Sequence, residues 1–274
     1  MGTLDALQRI VQTLGYHGNV SDFIVVFGLA LGRVLTAISL APFFGGQAVA
    51  SNIKVGLSVM VTAMLLPSLT RGQEVPHDAA LVAALLVKEV MLGATIGFIA
   101  QLLLYGVQTA GALIDVQRGM DQPGLHAPQL AGNVSTTGLF QFQLGLLILL
   151  FLNGHLIYLR ALADSFARIP LFGFPRLAAP DSVAQLMGKV SGQVLVIAIQ
   201  LSGPVLLTLF LVDVMFGALG KIASQVNIHN ESLPVKAFVG LMVLVPAVAF
   251  IFSRTGELLS QMIWNIYNVL ARLV

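Results

Sequence analysis

Residues 190–212 run for 23 positions without an ionisable side chain, the length a helix needs to cross the roughly 30 Å hydrocarbon core of a bilayer. The run is one of several. Residues 23–40 carry charge only at Arg33, residues 55–69 carry none, and residues 79–114 are apolar apart from the adjacent Lys88 and Glu89. Residues 139–159 form a further well-formed run, residues 237–253 hold Pro246, and residues 258–274 make an amphipathic tail. The pattern predicts an all-α, integral-membrane chain of about six spans. Several of these are short or interrupted, most plainly by Gly203-Pro204. Helix breakers at membrane depth are tolerated where neighbouring helices or water satisfy the freed backbone groups. The spans are therefore expected to pack against protein as bent, interrupted hairpins. Gly28 and Gly32, and Gly93 and Gly97, form GxxxG spacings that let helix backbones approach closely.

Composition narrows the function. The 274 residues are 57% hydrophobic and 9% charged, with a mean hydropathy of +0.91, whereas soluble domains carry about 25% charged residues. A formal net charge of +2 is too small for a nucleic-acid surface. With no cysteine, disulfides and cysteine-based metal centres are excluded. Neither a cleavable signal nor a lipid anchor is expected from residues 1–22, which mix Asp5, Arg9 and Asp22 with apolar residues. The polar connections 71–78, 115–133, 160–189 and 213–236 are too short for a second soluble domain, so residues 1–274 are expected to form one domain. Arg160, Arg168, Arg176 and Lys189 make the third connection the most basic, but Asp164 and Asp181 lie among them, and the orientation signal is weak. Leu113-Ile-Asp-Val116 echoes Leu211-Val-Asp-Val214, too short a match to establish a repeat.

Catalytic chemistry is not legible. His17, His77, His126, His155 and His229 are never three or four residues apart, and neither HExxH nor a P-loop is present. Ser135 and Ser165 each lie near a His and an Asp, but without a nucleophile elbow. The chain reads as no enzyme, with no metal and no cofactor.

The informative residues are charges within or beside apolar runs: Arg33, Lys54, Lys88, Glu89, Asp115 and Asp213. A charge at the centre of a span costs about 2.5–3.5 kcal/mol. Two readings stand: the residues line an ion or substrate path, or they sit at interfaces, snorkel, or pair with other charges. The densest polar stretch is AGALIDVQRGMDQPG, residues 110–124. It places three glycines, a proline, Asp115, Arg118 and Asp121 directly after an uncharged run.

Five segments in the same order resemble one family, the SctT proteins of type III secretion export apparatuses, which include flagellar FliR. The first is Arg33, then Pro42-Phe43-Phe44-Gly45-Gly46, then Lys54. The second is Lys88–Phe98, with Glu89, Gly93 and Gly97. The third is AGALIDVQRGM, which opens the 110–124 stretch, and the fourth is Leu152–Ser165, with Asn153-Gly154-His155. The fifth combines Pro204 and Asp213 with Gln225-Val-Asn227 and Leu233-Pro-Val-Lys236.

The resemblance implies a subunit of a helical export gate in the bacterial inner membrane. There it would join SctR-, SctS- and SctU-like proteins, contact lipid, and pass unfolded secreted polypeptides. It further implies a plug of the closed gate at Gly111, Ile114, Asp115, Gln117, Arg118, Gly119, Met120, Gln122 and Pro123. In such a plug the glycines loosen the helix and the charges pair when closed, at about 0–1 kcal/mol each near water. Ile114 and Met120 would supply an apolar seal.

Arg33, Pro42, Phe43, Phe44, Gly45, Gly46, Lys54, Glu89, Gly93, Gly97, Pro204, Asp213 and Lys236 are expected to serve assembly and packing. Pro42-Phe43-Phe44 is read as an elbow between hairpin arms, and Lys54 and Lys236 as partners for carboxylates of other subunits. His155 is read as a satisfied interfacial residue, and Met60, Met64 and Met91 as core filler. Two rivals remain: a secondary transporter of about six spans using Asp115 and Asp213, and a scaffold without a pore role. Flagellar and virulence branches are not separable by these residues.

Overall fold

The computed structural model describes residues 19–45, 49–69, 75–120, 135–175, 180–222 and 228–273. Gly46, Gln122 and Pro123, expected above to pack or to plug, lie outside them, as do residues 225–227 of the fifth matching segment. The described residues form helices and no strand: α1 (Val20–Leu40), α2 (Pro42–Gly45), α3 (Ser51–Leu69), α4 (Ala79–Gln117), α5 (Thr136–Phe151), α6 (Gly154–Arg168), α7 (Pro180–Ile222) and α8 (Ile228–Arg272). Five helices are long and apolar enough to cross a membrane, and the α5–α6 pair makes up to six. The chain is an all-α, multi-pass membrane protein.

Three differences from the sequence expectation have physical causes. The run 139–159 is broken: α5 ends at Phe151 and α6 begins at Gly154. Asn153 between them is left-handed, with φ 57°, a conformation that asparagine tolerates better than most side chains. The polar connections 160–189 and 213–236 are largely helical, since α6 runs to Arg168, α7 starts at Pro180 and ends at Ile222, and α8 starts at Ile228. Residues 237–253 and 258–272 belong to one helix, α8, with Pro234 and Pro246 inside it. Hydropathy marks where apolar side chains lie; it does not mark where a backbone ladder stops.

Hydroxyl groups explain how polar residues are accommodated along the spans. Thr36, Ser58, Thr62, Thr95, Thr109, Ser202, Thr208 and Thr255 each donate to the carbonyl four residues earlier. This bonds the hydroxyl within its own helix, where no water is needed. Thr208 uses the carbonyl of Pro204.

Two compact units are distinguished. The first draws on Met1–Gln101, Asn153–Gly188 and Met262–Val274. In it α1 packs on α3 and buries Leu29, Ala30, Val34, Ala37 and Ile38. Gly93 and Gly97 meet the α1 backbone: a Cβ on Gly93 would fall on the Arg33 carbonyl oxygen, and one on Gly97 would lie 2.9 Å from the Ala37 oxygen. Of the other GxxxG pair, Gly32 faces Leu86, while Gly28 has nothing within 4 Å.

The second unit draws on Leu102–Leu152 and Lys189–Gln261. Its apolar centre is Ile114, Val205, Leu209, Leu244 and Ala247. Here α4 and α5 cross at two glycines: a Cβ on Gly111 would lie 2.5 Å from the Gly138 Cα.

The methionines expected as core filler are on the outside of the chain. Met60 is 59%, Met64 76% and Met91 64% exposed.

Candidate functional site

Buried charge gathers at one cluster in each unit. In the first, Arg33 on α1 is fully buried against Glu89 on α4. Its Nη2 donates to Glu89 Oε1 at 2.9 Å and to the Ile169 carbonyl at 3.0 Å, and its Nη1 donates to Ser165 Oγ at 3.1 Å. Its Nε also donates to Glu89 Oε2. The guanidinium lies over the Phe166 ring, 4.1 Å from its centroid. Lys88 pairs with Glu89 at 2.7 Å, and its Nζ donates to the carbonyls of Pro170, Leu171 and Gly173 at 2.7–3.0 Å. Three donors on one ammonium thus hold the turn after α6. That use has no sequence signature, because every residue carries a carbonyl.

Beside this cluster the short helix α2 presents its aromatics inward. Phe43 meets Tyr158 edge-on at 4.9 Å, Phe44 lies 5.1 Å from Phe43, and Phe44 faces His155 at 6.4 Å. The Tyr158 hydroxyl donates to the Ala37 carbonyl at 2.9 Å, an aromatic body with its polar end satisfied. His155 Nδ1 is buried without a hydrogen-bond partner among the described residues. Gly45 closes α2. Lys54 sits at the start of α3, half-buried and without an ion pair among the described residues.

In the second unit the described part of the 110–124 stretch is ordered helix and cap. Gly111 is the crossing point with α5, and Ile114, 1% exposed, is in the apolar centre. Asp115 Oδ2 accepts from Ser135 Oγ at 2.7 Å and from the Thr137 backbone N–H at 2.8 Å, while Oδ1 accepts from Thr137 Oγ1. Arg118 lies 3.5 Å from the same carboxylate. Its Nη1 donates to Thr137 Oγ1 at 3.3 Å and its Nη2 to the Ala237 carbonyl at 3.1 Å. Gly240 makes room for it, since a Cβ there would meet Arg118 Cδ at 2.7 Å. Among the described residues, Arg118 Nε and both amide atoms of the buried Gln141 have no partner.

Helix α4 ends in a Schellman closure. Met120 N–H donates to the Asp115 carbonyl and Gly119 N–H to that of Val116, both at 3.0 Å. Gly119 supplies the left-handed residue, with φ +75°, which this closure requires and glycine adopts at least cost. Gln117 Nε2 donates to Asp213 Oδ2 at 2.8 Å, and Asp213 also pairs with Lys236. Lys236 thus finds its carboxylate within the chain. Met120 is 37% exposed, and Pro204 lies in α7 beside the buried Val205.

The structure therefore brings Asp115, Gln117, Arg118, Asp213 and Lys236 together, and separately Arg33 with Glu89. Asp115 and Arg118 are each only 5% exposed, drier than the solvated pairs expected from sequence. Sequence reasoning considered Ser135 and Ser165 only as nucleophiles and passed over Thr137, Tyr158 and Gly240. For Ser135 a signal existed: it precedes an apolar run, and its Oγ caps α5 by accepting from Gly138 N–H at 2.8 Å. Among the described residues no group of acids and histidines could hold a metal.

Known proteins are similar to this chain over most of its length. The family described as Bacterial export proteins, family 1, matches residues 24–262. The flagellar biosynthetic protein FliR of Pectobacterium carotovorum subsp. carotovorum is 27% identical over 238 residues, covering 84% of this chain and 90% of that protein. FliR of Bacillus subtilis (strain 168) is 27% identical over 254 residues, covering 92% and 97%. The Yop proteins translocation protein T of Yersinia pestis is 27% identical over 225 residues, covering 81% and 85%. Similarity on this scale, on an all-α multi-pass architecture, places the chain in the FliR/SctT family of bacterial export proteins.

Proposed function

We propose that the chain is a non-enzymatic subunit of a type III secretion export gate in the bacterial inner membrane. Residues 1–274 act as one functional domain, assembled with SctR-, SctS- and SctU-like proteins. The gate passes unfolded secreted polypeptides, and the 111–123 region closes the entry pore. The observation that carries the reading is the family match across residues 24–262. Large apolar side chains left open on several helices, such as Met64, Phe151 and Val245 at 75–78% exposure, support it, because partner helices or lipid must cover them. The state of the two acids favours it over a secondary transporter. Asp115 is occupied by Ser135, Thr137 and Arg118, and Asp213 by Gln117 and Lys236, which leaves neither carboxylate free for a solute.

Purification in mild detergent tests the assembly. The chain should emerge with SctR- and SctS-like partners, and emergence alone with a bound small solute would overturn the reading. The closure is tested by deleting residues 117–124 and measuring small-ion leak with assembly confirmed. Leak should rise, and an unchanged barrier removes the plug.

A further inference from the structure

We infer that the Asp115 carboxylate is a tether joining the end of α4 to the start of α5, and that the pore barrier proposed above depends on it. The inference rests on that plug reading. Asp115 and Ser135 are 20 residues apart in the chain, yet one carboxylate serves both helix ends. Both its oxygens are engaged by Ser135 and Thr137, and Arg118 covers it from α4 while reaching the Ala237 carbonyl on α8. The Schellman closure begins at the Asp115 carbonyl itself, so the side chain and the main chain of one residue fix where α4 stops and where α5 starts.

The chemistry makes this a switch. Ser135 Oγ, Thr137 N–H and Thr137 Oγ1 donate to a carboxylate that is 5% exposed, and none can leave it without finding another acceptor. Buried donors and charges left without partners are costly. The ends therefore part only as water enters, and separation and hydration are a single event.

The chain contains no cysteine, so one engineered pair can replace the hydrogen bond by a covalent bond with no other thiol of the chain to compete. The test uses the full chain assembled with its partner subunits in membrane vesicles, with potassium leak as readout. Asp115→Ala should raise leak about tenfold or more, the scale set by losing several hydrogen bonds to a buried charge. The double variant Asp115→Cys with Ser135→Cys should leak equally when reduced and return to the parent level when oxidised. Recovery on oxidation is not expected of a residue that only fills space. A double variant that is tight when reduced, that leaks when the cross-link is complete, or that does not cross-link under mild oxidant overturns the tether. Should Asp115→Ala fail to assemble, the cysteine pair purified under oxidising conditions carries the test alone. Failure of the plug reading is read separately, from the unchanged leak of the 117–124 deletion.

Discussion

In the first unit one acid, Glu89, answers two cations, Arg33 and Lys88, and the side chains of all three are at most 6% exposed. In the second unit the charges balance two against two. Asp115 and Arg118 are nearly as dry, but the Lys236 and Asp213 side chains keep 12% and 34% of their surface. Every side-chain nitrogen of the first cluster reaches a carbonyl, a hydroxyl or Glu89, whereas Arg118 Nε in the second has no partner among the described residues. The first cluster leaves none of its nitrogens without a partner. The other is graded from dry to wet and leaves something unsatisfied. Burying charge without full pairing is expensive, so the first cluster is expected to cost more to break than the second.

That contrast can be broken most forcefully at Glu89. Glu89→Ala strands two buried cations, and loss of about 3–5 kcal/mol is expected, read as loss of the assembled complex or a large fall in its thermal midpoint in detergent. Gly111→Ala drives a methyl group into the Gly138 backbone, and overpacking of this kind costs about 1–3 kcal/mol. Gly93→Ala against the Arg33 carbonyl should cost a similar amount, so the two units should respond alike in unfolding experiments where packing alone is tested. Gly119→Ala forces a side chain into the left-handed cap at about 1–2 kcal/mol, seen as faster amide hydrogen exchange in the last turn of α4. The smallest effect belongs to Lys236→Ala, about 1 kcal/mol for a pair that keeps 12% and 34% of its side-chain surface. Raising salt toward 1 M should erase the difference between Lys236→Ala and the parent, because screening acts on exposed pairs far more than on buried ones. A salt-dependent Glu89→Ala defect would remove the distinction between the clusters.

The residues that sequence could read were those whose signal is local. Gly119 was visible as a glycine after Arg118 at the end of an apolar run, and Gly93 with Gly97 as a close-approach spacing. Asn153 was visible as Asn-Gly, yet the greasy residues around it concealed the break. What sequence left open was that 237–253 and the tail share one helix, since α8 runs through both Pro234 and Pro246. Pairings that close through space were hidden: Lys236 and Asp213 come from different helices, and Lys88 is held by carbonyls of a turn some 80 residues away. The Ser135 and Thr137 contacts became legible only once α4 and α5 were seen to cross. The same sequence pattern that places apolar side chains in spans says nothing about which helices touch.

The crossing of α4 and α5 carries a consequence of its own. With Gly111 over Gly138, main chain rests on main chain, and no acyl tail or file of solvent molecules fits between them. That crossing is an insulator built from peptide rather than from side chains, and rotamer motion in its neighbours cannot open it. Only a displacement of one helix against the other, of the kind that would also part Asp115 from Thr137, could separate these two backbones.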